Sequence, residues 1–189
     1  GVIGENIEVK QCTFNGDGIS GAVAGIMIYN LADNVWIYDN YFDNLVHGIK
    51  IWDGENIKIN GNTIRNSEEY GIKVTRAYDT FIYNNNFYDN NPFPFDSPQV
   101  SQEFECDGLY WNASYPDGGN YYNDFDENSE GAMDIYRGPN QEIPGIDGIV
   151  DDYHCLNPYD VDGPAGAQDF YPLMEPYEPV ELMSVDFTW

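Results

Sequence analysis

Basic residues are scarce in this chain of 189 residues, which carries 7 Lys and Arg against 33 Asp and Glu. Nucleic acid and anionic membrane surfaces would both be repelled by the formal net charge of −26, because each is itself negatively charged. Cations are the natural counterparts of such a surface. The composition therefore predicts no nucleic-acid partner and favours a bound cation.

Long apolar runs and cysteines are also few. No stretch approaches the roughly 18 apolar residues of a membrane helix, so we expect no membrane insertion. No signal peptide precedes Gly1, which predicts a mature or trimmed form if the protein is secreted. Abundant Asn and Tyr with little Lys fit an extracellular β-rich protein, and the length predicts one domain.

Three segments repeat one pattern without gaps: DNVWIYDNYF (residues 33–42), ENIKINGNTI (residues 55–64) and DTFIYNNNFY (residues 79–88). Their starts lie 22 and 24 residues apart, a period typical of a repeat architecture. Apolar residues alternate within each segment, at Val35 and Ile37, Ile57 and Ile59, and Phe81 and Tyr83. Alternation with a period of two predicts a strand with these side chains on its inner face.

Each repeat also contains a second short strand that begins with glycine, GIKI (residues 48–51) and GIKV (residues 71–74). About 22 residues leave no room for a crossover helix. The pattern predicts an all-β fold, a right-handed parallel β-helix (solenoid) of about four coils with an irregular C-terminal cap. We place the coils at residues 1–91, an irregular acidic coil and cap packed on the same solenoid at residues 92–174, and an extended tail at residues 175–189.

Equivalent residues of successive coils stack on one another in a solenoid. The repeated Asn40, Asn62 and Asn86 therefore predict an inward asparagine ladder that satisfies buried turn amides. Cys12 aligns with these positions and is predicted to be a buried thiol at the end of the ladder. A disulfide between Cys106 and Cys155 is predicted if the protein is extracellular.

The C-terminal part contains LYWNASYPDGGNYYNDF (residues 109–125), PGIDGIVDD (residues 144–152) and QDFYPLM (residues 168–174). These blocks resemble the closing segment of the NosD-like group, extracellular β-helix proteins also described as carbohydrate-binding and sugar-hydrolase (CASH) domains and common in archaeal surface proteins. The chain departs from that pattern at Tyr122, where Trp is usual, and in an insert around MDIYRGPNQEI. The resemblance implies a β-helix at the cell surface or in the extracellular space.

Acidic residues predict a calcium site in the same region. Asp147 and Asp151 enclose a glycine at a spacing that lets a tight loop wrap carboxylates and the carbonyl of Ile149 around a hard cation, and this loop is similar to the DGIGD loop of the family. The other acidic pairs that could complete the ligand shell are Asp124 with Asp126 and Asp160 with Asp162. A solvated acidic loop is the alternative. Asn112 begins an N-glycosylation sequon.

Aromatic residues predicted to point outward are the second candidate site: Tyr29, Trp36, Tyr38 and Trp52. Sugar rings stack on exposed aromatic faces, although such residues equally suit a protein contact. Catalysis has little support. His47 lies in a VHGIKI segment similar to that of polygalacturonase-type β-helices, but no RIK sequence follows.

Together these patterns predict an extracellular cell-surface structural module, self-assembling into filaments or a surface layer and binding glycans. The alternatives are a polysaccharide-active enzyme, either a lyase or a glycoside hydrolase, and a carbohydrate-binding module. For self-assembly, the apolar tail VELMSVDFTW (residues 180–189) would pair head-to-tail with a bare first coil of a neighbour. In the alternative arrangement the tail folds back over its own core.

Overall fold

The computed structural model describes residues 1, 3–16, 24–92, 97–104, 106–126, 129–151 and 158–178. The chain passes repeatedly through three parallel sheets. Sheet 1 contains β1 (Glu5–Lys10), β4 (Ala32–Tyr38), β7 (Gly54–Asn60), β10 (Thr80–Tyr83) and β13 (Leu109–Tyr110). Sheet 2 contains β2 (Thr13–Asn15), β5 (Tyr41–Asp43), β8 (Thr63–Arg65), β11 (Asn86–Tyr88) and β14 (Tyr121–Tyr122). Sheet 3 contains β3 (Ile26–Ile28), β6 (His47–Ile51), β9 (Tyr70–Val74) and β12 (Val100–Gln102).

This topology confirms the predicted parallel β-helix, since each strand pairs with its counterpart one coil away. The sheets continue beyond residue 91 as far as Tyr122. Two antiparallel hairpins follow, β15 (Tyr136–Arg137) with β16 (Ile143–Pro144) and β17 (Tyr159–Asp160) with β18 (Gln168–Asp169). No helix in the described part of the chain is both long and apolar enough to span a bilayer.

Inward-facing side chains fill the core in columns. One column stacks Ile37, Ile59 and Ile82, all fully buried. Aromatic rings continue a second column, where Phe87 stacks on Tyr122 with ring centroids 5.2 Å apart and Tyr122 stacks on Tyr159 at 3.5 Å. Ring stacking thus links the last coil to the second hairpin.

The asparagine ladder is present, with one register error in the prediction. Asn62 donates its backbone N–H and its side-chain Nδ2 to Oδ1 of Asn85, at 3.1 and 2.9 Å. Asn40 donates to Asn62 in the same way. The third rung is therefore Asn85, and Asn86 instead faces outward on β11 beside Thr63.

The register differs because Asp79, like Asn56, has a left-handed backbone (φ 45° and 51°). Aligning these two residues places Ile82 inward against Ile59 and turns Phe81 outward beside Lys58. The predicted inward positions of Phe81 and Tyr83 are thus wrong. Ile82 fits the buried column of Ile37 and Ile59 because all three are isoleucines. The sequence alone did not show which of the three consecutive residues Asn84, Asn85 and Asn86 belongs to the ladder.

The ladder runs on into the cap. Asn85 donates to Asn120, and Asn120 donates its backbone N–H to Oδ2 of Asp169 at 2.7 Å. At the other end, the backbone N–H of Cys12 donates to Asn40, so Cys12 occupies the predicted column. Its side chain is exposed rather than buried, because β1 and β2 are the edge strands of their sheets in the described chain.

Candidate functional site

The outer face of sheet 1 carries most of the exposed aromatic side chains that lie on regular strands. Strand alternation points every second residue outward, and the parallel register then places these residues in two columns along the helix axis. The first column is Glu8, Trp36, Lys58, Phe81 and Tyr110. The second is Lys10, Tyr38, Asn60 and Tyr83. We call the rings of Trp36, Tyr38, Phe81, Tyr83 and Tyr110 the aromatic face.

Neighbouring side chains hold these rings in place. Trp36 lies 5.0 Å from Tyr38, centroid to centroid, and its Nε1 donates to Oδ1 of Asn60 at 3.0 Å. Phe81 and Tyr110 stack with centroids 5.1 Å apart. The ammonium of Lys58 lies 5.8 Å from the centroid of the Trp36 ring, within reach of a cation–π interaction. Trp36 and Tyr110 remain about half exposed, so part of each side chain is accessible to a ligand.

A polar groove runs beside the aromatic face, where the first four strands of sheet 1 each contain or directly follow a residue with a left-handed backbone. These residues are Asn6, Asn34, Asn56 and Asp79, with φ between 45° and 58°. Asn and Asp tolerate this conformation better than most residues, and their side chains stack at one level. Asn34 donates to Asn6, and Asn56 donates to Asp33 at 2.8 Å. The groove, of about 520 Å³, is lined by these polar groups together with Lys58 and Phe81.

The aromatic face provides rings on which a sugar can stack. The groove beside it provides amide and carboxylate groups that can form hydrogen bonds with sugar hydroxyls. One coil advances by roughly 4.8 Å, the spacing of neighbouring strands, which is comparable with the length of one sugar unit in an extended glycan. The periodicity of the face therefore matches that of a linear carbohydrate lying along the helix axis.

The predicted stripe of four aromatics is divided between two places. Trp36 and Tyr38 belong to the aromatic face, whereas Tyr29 and Trp52 follow β3 and β6, at the corner between sheets 3 and 1. Trp52 is exposed, with Lys50 5.7 Å from its ring centroid. The prediction missed Lys58, Phe81 and Tyr110. A correct alignment of Asp79 with Asn56 would have placed Phe81 on this face.

His47 is unsuited to contact with a substrate. Its side chain is buried beneath Tyr70, whose backbone N–H donates to Nδ1, and Nε2 lies 3.4 Å from a carboxylate oxygen of Glu69. Burial lowers the pKa of His47 to about 4, although the Glu69 carboxylate opposes this shift. His47 is a core residue of sheet 3.

Backbone N–H groups donate hydrogen bonds to the carboxylates of the predicted calcium loop. Asp151 accepts hydrogen bonds from the N–H groups of Ile135 and Tyr136, and Asp147 accepts them from Gly138 and Ile149. These bonds fasten the 134–151 segment. Within the described ranges no group of three or more His, Cys, Asp or Glu side chains is placed to hold a metal ion. Calcium stays a prediction.

The other predicted ligands lie among different partners. Asp124 accepts a hydrogen bond from Gln99 at 2.7 Å, while Asp126 pairs with the hydroxyl of Tyr121. Desolvation raises the pKa of Asp124 despite that bond from Gln99. Asp160 accepts from Gln168, and Asp162 pairs with the hydroxyl of Tyr70.

Two further predictions concern Cys106 and Asn112. The Sγ of Cys106 accepts a hydrogen bond from the N–H of Ala77 at 3.3 Å, and its predicted partner Cys155 lies outside the described residues, so the disulfide stays a prediction. Asn112 is half-buried and its Nδ2 donates to the carbonyl of Ala113. Glycosylation there is likewise still a prediction.

A family model described as the right-handed β-helix region matches residues 2–143, well over half of the chain. No curated protein and no solved structure matches the chain significantly. The match covers all three sheets and with them the aromatic face.

Proposed function

The chain belongs to the family of right-handed β-helix proteins, and from this premise we propose that it is a carbohydrate-binding module that holds an extended glycan along the outer face of sheet 1. The observation that carries this proposal is the in-register column Trp36, Lys58, Phe81 and Tyr110. Its rings offer stacking surfaces on either side of Lys58, with Trp36 one coil before the lysine and Phe81 and Tyr110 on the two following strands of sheet 1. The adjacent groove supplies hydrogen-bonding partners for hydroxyl groups.

The charge of the molecule favours a neutral glycan. A polyanionic chain approaching a protein of net charge −26 meets long-range repulsion. The groove is lined by two carboxylates, those of Asp33 and Asp79, and by one ammonium, that of Lys58, so its charges also do not favour an anion. Stacking and hydroxyl bonding remain available to an uncharged sugar chain, so its binding should change little with salt concentration.

We place this function at the cell surface or in the extracellular space. The composition and the resemblance of the three C-terminal blocks to the NosD-like, CASH-type group support this location. In such a setting a stiff β-helix with a glycan-binding face serves as a structural module that anchors to or displays carbohydrate.

Binding to a panel of neutral and acidic oligosaccharides tests the proposal. Trp36→Ala should weaken binding of a neutral glycan about tenfold, since a buried aromatic contact is worth about 1.4 kcal/mol or more. Phe104→Ala is the matched control, because Phe104 is equally exposed but follows β12, at the end of sheet 3. Equal losses in both variants, or no glycan binding by the unmodified protein, would refute the proposal.

Polysaccharide cleavage is a second candidate, favoured by the presence of Lys58, Asp33 and Asp79 among the residues that line the groove. An amine and two carboxylates in one groove offer a base and acids to a bound chain. Release of reducing ends or unsaturated sugars, measured with and without calcium, distinguishes cleavage from binding. Lys58→Met should abolish such a signal while leaving the melting temperature unchanged, and a silent unmodified protein removes this candidate.

A further inference from the structure

A second cavity lies where the aromatic face meets the cap. It has a volume of about 390 Å³ and is bounded by residues flanking β13 on one side and by the loop before Phe170 on the other. Leu109, Ala165 and Ala167 form apolar parts of its wall. Tyr110 and Phe170 stand at its edge, with 51% and 46% of their surfaces exposed. We call this cavity the cap cleft.

The cap cleft continues the aromatic face through a shared residue. Tyr110 lines the cleft and also stacks on Phe81, the preceding member of the first column. A glycan lying over Trp36 and Phe81 would therefore bring its next units to the mouth of the cleft. The two surfaces form one track along the helix axis.

The wall of the cap cleft combines apolar surface with amide groups. Gln168 donates its Nε2 to Asp160 at 2.8 Å, and Asn112 donates its Nδ2 to the carbonyl of Ala113 at 3.1 Å. Each bond uses one N–H of its amide group, and among the described residues the second N–H of Gln168 and of Asn112 has no acceptor assigned to it, so it can donate to a ligand carbonyl. A ligand group that combines a methyl with a carbonyl oxygen matches this wall, because the carbonyl can accept an amide N–H while the methyl contacts the apolar part, which a bare hydroxyl would leave in contact with water.

We propose that the cap cleft holds the acetyl substituent of a sugar, so that the glycan bound along sheet 1 is an acetylated polysaccharide. This inference rests on the proposed function, because the cleft is reached along the aromatic face. The shared chemistry is a methyl group attached to a carbonyl. It occurs both in N-acetylated sugars and in O-acetyl esters.

Two matched pairs of oligosaccharides test the proposal and separate these sources. Chito-oligosaccharides are compared with cello-oligosaccharides, which have the same β-1,4 backbone without acetamido groups. Acetylated xylo-oligosaccharides are compared with the same sample after mild alkaline deacetylation. The acetylated member of at least one pair should bind about tenfold more tightly, the discrimination expected for one small apolar group in a fitted pocket.

Ala165→Leu assigns the preference to the cleft, because the larger side chain adds bulk to the apolar part of the cleft wall. This substitution should reduce the ratio of acetylated to unacetylated affinity to about one without weakening the unacetylated ligand. Trp36→Ala should weaken both members of a pair and preserve the ratio. Ala113→Leu, an equal change in a half-buried residue that does not line the cleft, is the control for folding and should keep the ratio as well.

The outcomes are distinct. Equal binding of both members of each pair by the unmodified protein, or a ratio that survives Ala165→Leu, overturns the acetyl assignment and leaves the glycan-binding proposal standing. Failure of every oligosaccharide to bind overturns both.

Discussion

Asp169 is the residue on which the asparagine ladder ends. Its carboxylate is fully buried and accepts hydrogen bonds from the N–H groups of Asn120 and Tyr171. Burial raises the pKa of this carboxyl to about 7, more than its hydrogen-bond donors lower it. A neutral carboxylic acid is thus favoured in the folded protein over much of the acidic range.

The protonation of Asp169 makes a pH-dependent contribution to stability. The folded pKa lies above the unfolded value of about 3.9, so this contribution is complete below about pH 4 and is lost as the pH rises through about 7. Asp169→Asn removes the titrating group and keeps an oxygen for Asn120. We expect the difference in melting temperature between the unmodified protein and this variant to shift in favour of the variant from pH 5 to pH 8. A constant difference across that range would contradict the assignment.

A substitution at Asn62 tests how much the asparagine ladder contributes to stability. Its side chain accepts from Asn40 and donates to Asn85 and to the carbonyl of Ile37, all in the fully buried interior. Asn62→Leu should leave the backbone N–H of Asn40 without a partner, at a cost of about 1–3 kcal/mol for each orphaned buried group. Urea denaturation measures the change.

Asn60→Leu is the matched control for Asn62. Asn60 lies two residues earlier and faces outward, where its side chain accepts a single bond from Trp36. The free energy of unfolding should change by less than about 0.5 kcal/mol, as expected for a surface site. Equal destabilisation by both substitutions would show that the ladder contributes nothing of its own.

At the scale of the element, alternation and period identified the strands of sheet 1 from sequence, because these depend on neighbouring residues alone. Register was less secure. One shift at Asp79 moved Phe81 from the core to the aromatic face, since inner and outer positions differ by a single residue. The correct register was indicated by the Asn or Asp with a left-handed backbone, Asn56 in one coil and Asp79 in the next. An alignment based on apolar residues alone does not use these positions.

The cap could not be predicted in the same way, because its contacts join residues distant in sequence. Asn120 and Asp169 are 49 residues apart, and Tyr122 stacks on Tyr159 across a comparable separation. The contacts of the acidic loop at Asp147 and Asp151 could not be predicted for the same reason. Its carboxylates have the spacing of cation ligands, yet Asp147 and Asp151 bind amides of a hairpin whose position the spacing does not reveal.

Asn86 of sheet 2 binds the backbone of Tyr177, near the end of the described chain. Asn86 accepts the N–H of Tyr177 at 2.7 Å and donates its Nδ2 to the carbonyl of Tyr177 at 2.9 Å. Asn86→Ala should therefore increase the rate of amide hydrogen exchange at Tyr177. Thr63→Ala, one coil earlier in the same outward column, should leave that rate unchanged, and equal rates in both variants would contradict the role of Asn86.

Across the whole molecule the charge is distributed unevenly. Residues 92–189 contain 21 of the 33 acidic residues and only one basic residue, Arg137. Cations that neutralise this part should stabilise it, so calcium removal by excess EDTA should lower the melting temperature. Magnesium at equal ionic strength controls for screening. An unchanged melting curve, with no calcium found on elemental analysis, would remove the predicted site.

Self-assembly is the other prediction at this scale. Repulsion between molecules of charge −26 is screened beyond about 8–10 Å at physiological ionic strength, so millimolar calcium or salt should promote end-to-end association. Deleting residues 180–189, which lie outside the described part of the chain, should abolish association while the monomer stays folded. A tail that folds back would destabilise the monomer instead. Light scattering follows association, and a protein that stays monomeric in calcium at high concentration would contradict the prediction.

The uniform register between coils also affects how a chain of this kind can be lengthened by duplication of a repeat. The coils that contain β4, β7 and β10 meet one another through equivalent backbone bonds, and each supplies one ladder asparagine and two outward positions of sheet 1. An in-frame duplication of a single 22-residue or 23-residue unit would therefore enter as an additional layer without disturbing the layers on either side. Gene duplication of this kind would lengthen the proposed glycan-binding face by about one sugar unit at a time, so that the number of repeats would set the length of glycan that the face could contact.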